Sequence, residues 1–192
     1  MALVLAGILA AACNRSSPDA EPVLPPEPPT TTTTIDVSKV PPTIDVPYVQ
    51  AVMDSLDKVT GDMVRVLVAN KLPNAEFFAL LQAIYDEPEF SRAQSEFGNY
   101  AARGLAPLSP TPGNPTSKVR RIVDSSSNCV VAEIDHDYGP IFREPSTDPD
   151  AGFIQLRPKK PQRDAANSNP TPWAIVADID AKEAQIPENP CK

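Results

Sequence analysis

The chain has 192 residues, a formal net charge of −8 and 24 prolines. A protein this acidic is a poor partner for nucleic acid, because binding nucleic acid depends on neutralising its phosphates. The length suits one domain with extensions, and composition divides the chain into an apolar start (1–12), a linker (13–46) and a mixed domain (47–192).

The first segment is an uncharged apolar run that ends at a cysteine. Residues Ala2 to Ala12 have the length of a signal peptide's apolar region, and they are too few for a membrane-spanning helix, which needs about 20 residues. The run Leu9-Ala10-Ala11-Ala12-Cys13 resembles a bacterial lipobox. That resemblance implies cleavage before Cys13 and attachment of a lipid such as palmitate to it. An ordinary cleaved signal peptide with an incidental cysteine is the alternative.

The second segment, 13–46, is rich in proline and holds five consecutive threonines, Thr30 to Thr34. It is poor in large apolar residues, so it buries too little surface to offset the entropy lost on ordering. We therefore predict a disordered spacer with a reach of roughly 100 Å when fully extended. Both an O-glycosylated stalk and an unmodified spacer fit this composition.

Three cysteines are present, and Cys129 and Cys191 are left to pair if Cys13 carries lipid. An even number in an oxidising compartment predicts a disulfide, and two unpaired thiols are the alternative. No Cys-x-x-Cys occurs in the sequence. We therefore predict neither a zinc site nor a thioredoxin-like site, and no other cofactor motif is present.

Apolar periodicity predicts three helices at the start of the domain. The first begins near Pro47 and repeats apolar residues at helical spacing as far as Leu67. The second follows Leu72-Pro73-Asn74, and the third starts at Pro88.

Four strands are predicted after the helices: Lys118–Asp124, Cys129–Asp135, Phe153–Arg157 and Trp173–Asp180. Strict alternation in the last strand places Trp173, Ile175, Ala177 and Ile179 inward and Asp178 and Asp180 outward. Helices followed by strands predict an α+β fold, in which N-terminal helices pack on a curved antiparallel sheet of about four strands. The low aromatic content favours a filled core over a large cavity.

This order resembles the cystatin-like or NTF2-like group and actinobacterial lipoproteins that carry such a domain behind a proline-threonine linker. The likeness covers 47–192 and rests on the strand Cys129–Asp135, the strand entry Asn169–Trp173 and the final Cys191. It implies a protein held by lipid on the extracytoplasmic face of the cell membrane. Its partners would be that membrane and either an envelope protein or an apolar ligand.

The only histidine, His136, lies between Asp135 and Asp137, close to Tyr138. Nearby carboxylates would raise its pKa and suit acid–base chemistry. Isomerase-type members of the NTF2-like group use an aspartate base and a tyrosine, which makes Asp135 and Tyr138 candidates by resemblance. However, adjacent strand residues point to opposite faces, and Gly139-Pro140 follows at once. The favoured interpretation is a polar turn in solvent, with no catalysis and no metal.

Three functions fit these features. The first is a non-enzymatic, lipid-anchored surface protein with a binding or accessory domain. The second is an isomerase- or dehydratase-type enzyme that acts on a small apolar substrate, and the third is an accessory subunit of a cell-envelope transport complex. A large pocket with a buried carboxylate near Tyr138 would favour the enzyme, whereas a filled core with an exposed apolar patch would favour the binding module.

Overall fold

The structure is a computed structural model that describes residues 35–144, 150–160, 168–180 and 191. Its elements in chain order are helices α1 (Val46–Asn70), α2 (Ala75–Ile84) and α3 (Glu89–Ala102) and strands β1 (Thr116–Ser126), β2 (Cys129–Asp137), β3 (Asp150–Pro158) and β4 (Trp173–Asp180). The four strands form one antiparallel sheet in the order β1-β2-β3-β4. The predicted α+β class is confirmed, and the finer likeness to the cystatin-like or NTF2-like group stays a prediction.

The helix starts follow from local capping chemistry. Asp45 caps α1, because its side chain accepts a hydrogen bond from the Tyr48 amide at 2.9 Å. Asn74 caps α2 in the same way through the Phe77 amide at 2.8 Å. The helix α1 continues through Gly61, where an added Cβ would meet Asn114 Oδ1 at 2.1 Å, so this position needs glycine for a close approach.

The apolar core lies between the helices and the inner face of the sheet. Trp173 at the start of β4 is fully buried, and its indole N–H donates to the Tyr48 hydroxyl at 2.8 Å, which joins the sheet to α1. Asn169 fixes the approach to β4, since its amide donates to the carbonyls of Ala83 and Trp173. The strand entry singled out in the sequence therefore serves as a structural joint between α2 and β4.

A β-bulge in β4 overturns one prediction about which side chains face inward. Leu156 pairs with Ile175 and Gln155 with Ala177, so Val176 is an extra residue without a partner in β3. The extra residue reverses the alternation beyond it. Asp178, predicted outward, faces a cavity in the domain, and Ile179, predicted inward, is 37% exposed.

The ordered domain begins before Pro47, where the predicted linker was expected to end. Residues 35–45 are described, and Val40 and Ile44 pack against the core. The predictions for 1–34, including the signal peptide, Cys13 and Thr30 to Thr34, lie outside the described residues. Within the described part of the chain, no helix combines the length and apolar character needed to cross a membrane.

The predicted disulfide is present. The sulfur atoms of Cys129 and Cys191 are 2.11 Å apart, and their Cα atoms are separated by 5.4 Å. The Cys191 amide also donates to Asp124 Oδ2 at 3.3 Å. The bond therefore holds Cys191 beside the turn that joins β1 to β2.

Candidate functional site

His136 lies inside the domain, and the prediction of a polar turn in solvent is wrong. The inner face of β2 runs through Val130, Ala132 and Ile134, and two further steps of two place His136 and Tyr138 on the same face. His136 is only 5% exposed. The sequence indicates this burial, because the alternation of inward residues in β2 continues with the same period of two through His136 and Tyr138. Gly139-Pro140 follows only after them.

Asp135 is separated from the other two candidates. Its side chain lies on the outer face of the sheet, where both oxygens accept from Arg120 Nε at 2.7 Å. The structure therefore brings His136 and Tyr138 together and leaves Asp135 out, as the alternation of side chains along a strand requires.

Asp178 is the carboxylate that joins the site. The Tyr138 hydroxyl donates to Asp178 Oδ2 at 3.0 Å, and His136 Nε2 lies 3.7 Å from Asp178 Oδ1. The rings of His136 and Tyr138 stack with centroids 5.0 Å apart. Burial, together with the charge of Asp178, raises the pKa of Tyr138 well above its ordinary value, so the hydroxyl keeps its proton and remains a donor.

Behind His136 the contacts continue to a second carboxylate. Ser117 Oγ lies 2.9 Å from His136 Nδ1 and 2.9 Å from Asp57 Oδ1, and all three side chains are buried. We call the set Asp57, Ser117, His136, Asp178 and Tyr138 the polar row. It crosses the domain from α1 through β1 and β2 to β4.

Burial dominates the titration of two members of the polar row. It raises the pKa of Asp57 from 3.8 to about 7, against the effect of the hydrogen bonds from Ser117. It lowers the pKa of His136, against the attraction of Asp178, Asp150 and Asp135. The predicted upward shift for His136 is therefore wrong, because desolvation outweighs the carboxylates. Within the part of the chain that the structure describes, the buried Nε2 atom of His136 has no hydrogen-bond partner.

A cavity of about 400 Å³ opens beside the polar row, so the predicted filled core is incomplete at this end. It lies between α3, the ends of β2 and β4, and the start of β3. Asp178 is 16% exposed in its side chain. The aromatic side chains that line the cavity are Tyr85, Phe97, Tyr100, Tyr138 and Phe142.

The cavity wall is acidic. Six of the described lining residues are aspartate or glutamate and one is arginine, Arg92. Arg92 is held by Glu89, with its Nε 2.8 Å from Oε1, and it also lies near Glu96. With Asp180 left out of the balance, five carboxyl groups and one guanidinium remain among the described lining residues, so this part of the wall presents a negative field to an entering molecule.

Asp57, Ser117 and Asp178 are not among the site residues predicted from the sequence. Asp57 carries a usable signal, since it lies among the buried residues of α1 and interrupts their apolar stripe with a carboxylate. Ser117 lies two residues before the buried Val119 and shares its inward face, whereas Asp178 carries no signal, because the bulge in β4 sets which way it faces. Among the described residues, no three His, Cys, Asp or Glu side chains are grouped to hold a metal ion.

The chain matches no protein-family model, no curated protein and no solved structure.

Proposed function

We propose that the domain binds a small molecule with an apolar body and a positively charged, hydrogen-donating group in the cavity beside Asp178. The observation that carries this proposal is the cavity itself, which combines aromatic walls with an acidic lining. Aromatic faces attract cations, and a carboxylate held in a partly buried position pairs with them. The volume lies in the range of small-molecule sites, roughly 300–1,000 Å³.

Asp178 is the expected anchor for the charged group. One of its oxygens accepts from the Tyr138 hydroxyl, which orients the carboxylate, and for the other the described residues offer no donor closer than His136 Nε2 at 3.7 Å. An ammonium group would supply the donor that this second oxygen lacks. The aromatic rings of the wall would cover the apolar body of the ligand.

Replacing Asp178 by asparagine should weaken the binding of aryl- and alkylammonium compounds at least about tenfold, a loss of about 1.4 kcal/mol. The physical reason is the loss of a charge-assisted hydrogen bond inside a partly buried site. The probes are ammonium compounds together with alcohols and carboxylates of the same shape. Affinities are measured by calorimetry and by chemical-shift changes around Tyr138.

Asp135→Asn is the matched control, since Asp135 lies in the same strand as His136 but on the outer face. It should bind the ammonium probes as the unmodified protein does. Equal binding of ammonium and carboxylate probes would contradict the proposal. So would undiminished affinity in Asp178→Asn, or an absence of binding by every ammonium probe.

A second candidate function is isomerase- or dehydratase-type catalysis, favoured by the direct contact between Asp178 and Tyr138 beside the cavity. A carboxylate can take a proton from a substrate carbon while a hydroxyl donates to its oxygen. Small cyclic ketones added to the probe panel test this. Deuterium exchange at their α-carbons that is lost in Asp178→Asn would favour the enzyme, and binding without exchange would favour the binding domain.

We further propose that lipid on Cys13 holds the domain on the extracytoplasmic face of the cell membrane. The apolar run that ends at Cys13 supports this, as does a disulfide in the domain, since disulfides persist in oxidising compartments. In membrane fractions of its own host, the intact mass should correspond to a chain that starts at Cys13 and carries added acyl mass.

Cys13→Ala is the control for the anchor and should remove both the acyl mass and the membrane association. A chain that starts elsewhere, or one without lipid, would contradict the anchor. The same membrane preparation tests the third function, because a subunit of an envelope transport complex should co-purify with membrane partners.

A further inference from the structure

We propose that Ser117 and His136 form a proton relay that connects the buried carboxyl group of Asp57 with Asp178 at the cavity. In this relay the protonation of Asp57 determines which imidazole nitrogen carries a hydrogen. Proton transfer from the relay to a bound ligand rests on the proposed function of the cavity. The existence of the relay rests on the contacts of the polar row alone.

The hydroxyl of Ser117 links the carboxyl group of Asp57 to the imidazole of His136. It has one hydrogen, but an oxygen of Asp57 and Nδ1 of His136 both lie 2.9 Å from its Oγ. Because the hydroxyl can donate to only one of them, the other must donate to it if both contacts are hydrogen bonds. Either Asp57 is protonated or His136 Nδ1 is.

Two arrangements satisfy this condition. In the first, protonated Asp57 donates to Ser117, Ser117 donates to Nδ1, and Nε2–H of His136 points at Asp178. In the second, ionised Asp57 accepts from Ser117, Nδ1–H donates to Ser117, and Nε2 is a bare acceptor beside Asp178. On the side of the cavity the two arrangements differ at Nε2 of His136, which lies 3.7 Å from Asp178 Oδ1 and has no hydrogen-bond partner among the described residues. This nitrogen carries a hydrogen in the first arrangement and none in the second.

Transfer along the relay is balanced. The Asp57 proton moves to Ser117 Oγ and the former Ser117 proton moves to Nδ1, while the Nε2 proton moves to Asp178 Oδ1 once the two side chains close their 3.7 Å separation to hydrogen-bond length. Three O–H or N–H bonds break and three form, and the total charge does not change. The net result is one proton carried from Asp57 to Asp178, which can pass it to a molecule in the cavity.

The surroundings favour a switch near neutral pH. Asp57 faces Ser117 and feels the negative charge of Asp54 one turn earlier in α1, and its pKa of about 7 makes both of its forms accessible. His136 faces Asp178 of β4 and Asp150 of β3, with Asp135 in its own strand, and burial lowers the pKa of its imidazole against these charges, which favours the neutral form. The two neutral tautomers are therefore the states that matter.

The test uses the fact that this chain has one histidine. Tag-free protein labelled with ¹⁵N in histidine shows the two ring nitrogens of His136 alone, and their shifts and couplings identify the tautomer. Without any ligand, the main tautomer should change from Nε2–H at about pH 6 to Nδ1–H at about pH 8.5. The imidazolium, with both nitrogens protonated, gives a third pattern and is distinguished from both.

Asp57→Asn and Ser117→Ala should both abolish this change of tautomer, because one removes the titrating group and the other removes the link. Asp135→Asn and Asp150→Asn should keep it, since their carboxyl groups lie outside the row of contacts. A single tautomer across the whole range in the unmodified protein would overturn the relay. So would a transition that survives in Asp57→Asn.

The tautomer measurement tests the relay and the ligand titration tests the proposed function, so either proposal can be rejected without the other. Loss of the tautomer change with intact ammonium binding would reject the relay and keep the cavity as a binding site. A tautomer change without any binding would keep the relay and reject the proposed ligand class.

Discussion

Asp57→Asn should stabilise the domain above about pH 8 by up to about 4 kcal/mol and should change its stability little below about pH 4. Burial raises the pKa of Asp57 from 3.8 to about 7, so the folded state binds this proton more tightly than the unfolded state does. The stability gained from protonated Asp57 is fully present below pH 3.8 and is lost as the pH rises through about 7. Asparagine keeps a hydrogen-bonding group beside Ser117 and removes the buried charge.

Urea unfolding of both proteins at about pH 4 and pH 8.5 measures this difference directly. Asp54→Asn serves as the control, since Asp54 is an exposed carboxylate one turn earlier in α1. It should change the free energy of unfolding by about 0.5 kcal/mol or less at either pH. An Asp57→Asn protein that is less stable than the unmodified protein at pH 8.5 would show that the ionised carboxylate is well solvated or paired.

Removing the bond between Cys129 and Cys191 should lower the free energy of unfolding by about 4 kcal/mol. The cysteines are 62 residues apart, so the bond restricts a large loop in the unfolded chain. A loss of this size is a large share of the roughly 5–15 kcal/mol that stabilises a typical domain.

The measurement compares Cys129→Ala/Cys191→Ala with the oxidised protein, both in a Cys13→Ala background that prevents mispairing. Alanine at 129 avoids leaving a polar group in a position that is almost fully buried. The oxidised protein under reducing conditions should fall to the stability of the double variant. A difference below about 1 kcal/mol would mean that the unfolded chain is already restricted or that the bond strains the fold.

The helices and strands were predictable because their signals are local. The Asn74 cap, the proline near the start of α1 and the apolar spacing of α1 act within one or two turns. The bounds of β4, Trp173–Asp180, match the prediction, and β2 extends two residues past it, to Asp137. The extension matters for function, because it places His136 within the strand instead of in a turn.

The site was predictable only in part. His136 and Tyr138 were candidates, and their shared face follows from the period of a strand. Asp135 was a candidate because it precedes His136 in the sequence. In the structure, the carboxylate that contacts Tyr138 belongs to Asp178 of β4. The bulge at Val176 places Asp178 on the inner face of the sheet, and no pattern in the sequence marks a bulge there.

The amino-acid sequence by itself determined the order of helices and strands and the inward face of β2, and it predicted the pairing of the last two cysteines on the condition that Cys13 carries lipid. These features depend on helix capping, on the periodicity of apolar residues and on the number of cysteines. Only the tertiary structure decided that Asp57, Ser117, His136 and Asp178 meet, because successive contacts in this row join residues far apart in the chain, 60 positions between Asp57 and Ser117. Periodicity states which face a side chain occupies, whereas its partner depends on how α1 packs on β1 and on the register shifts of β1 and β4.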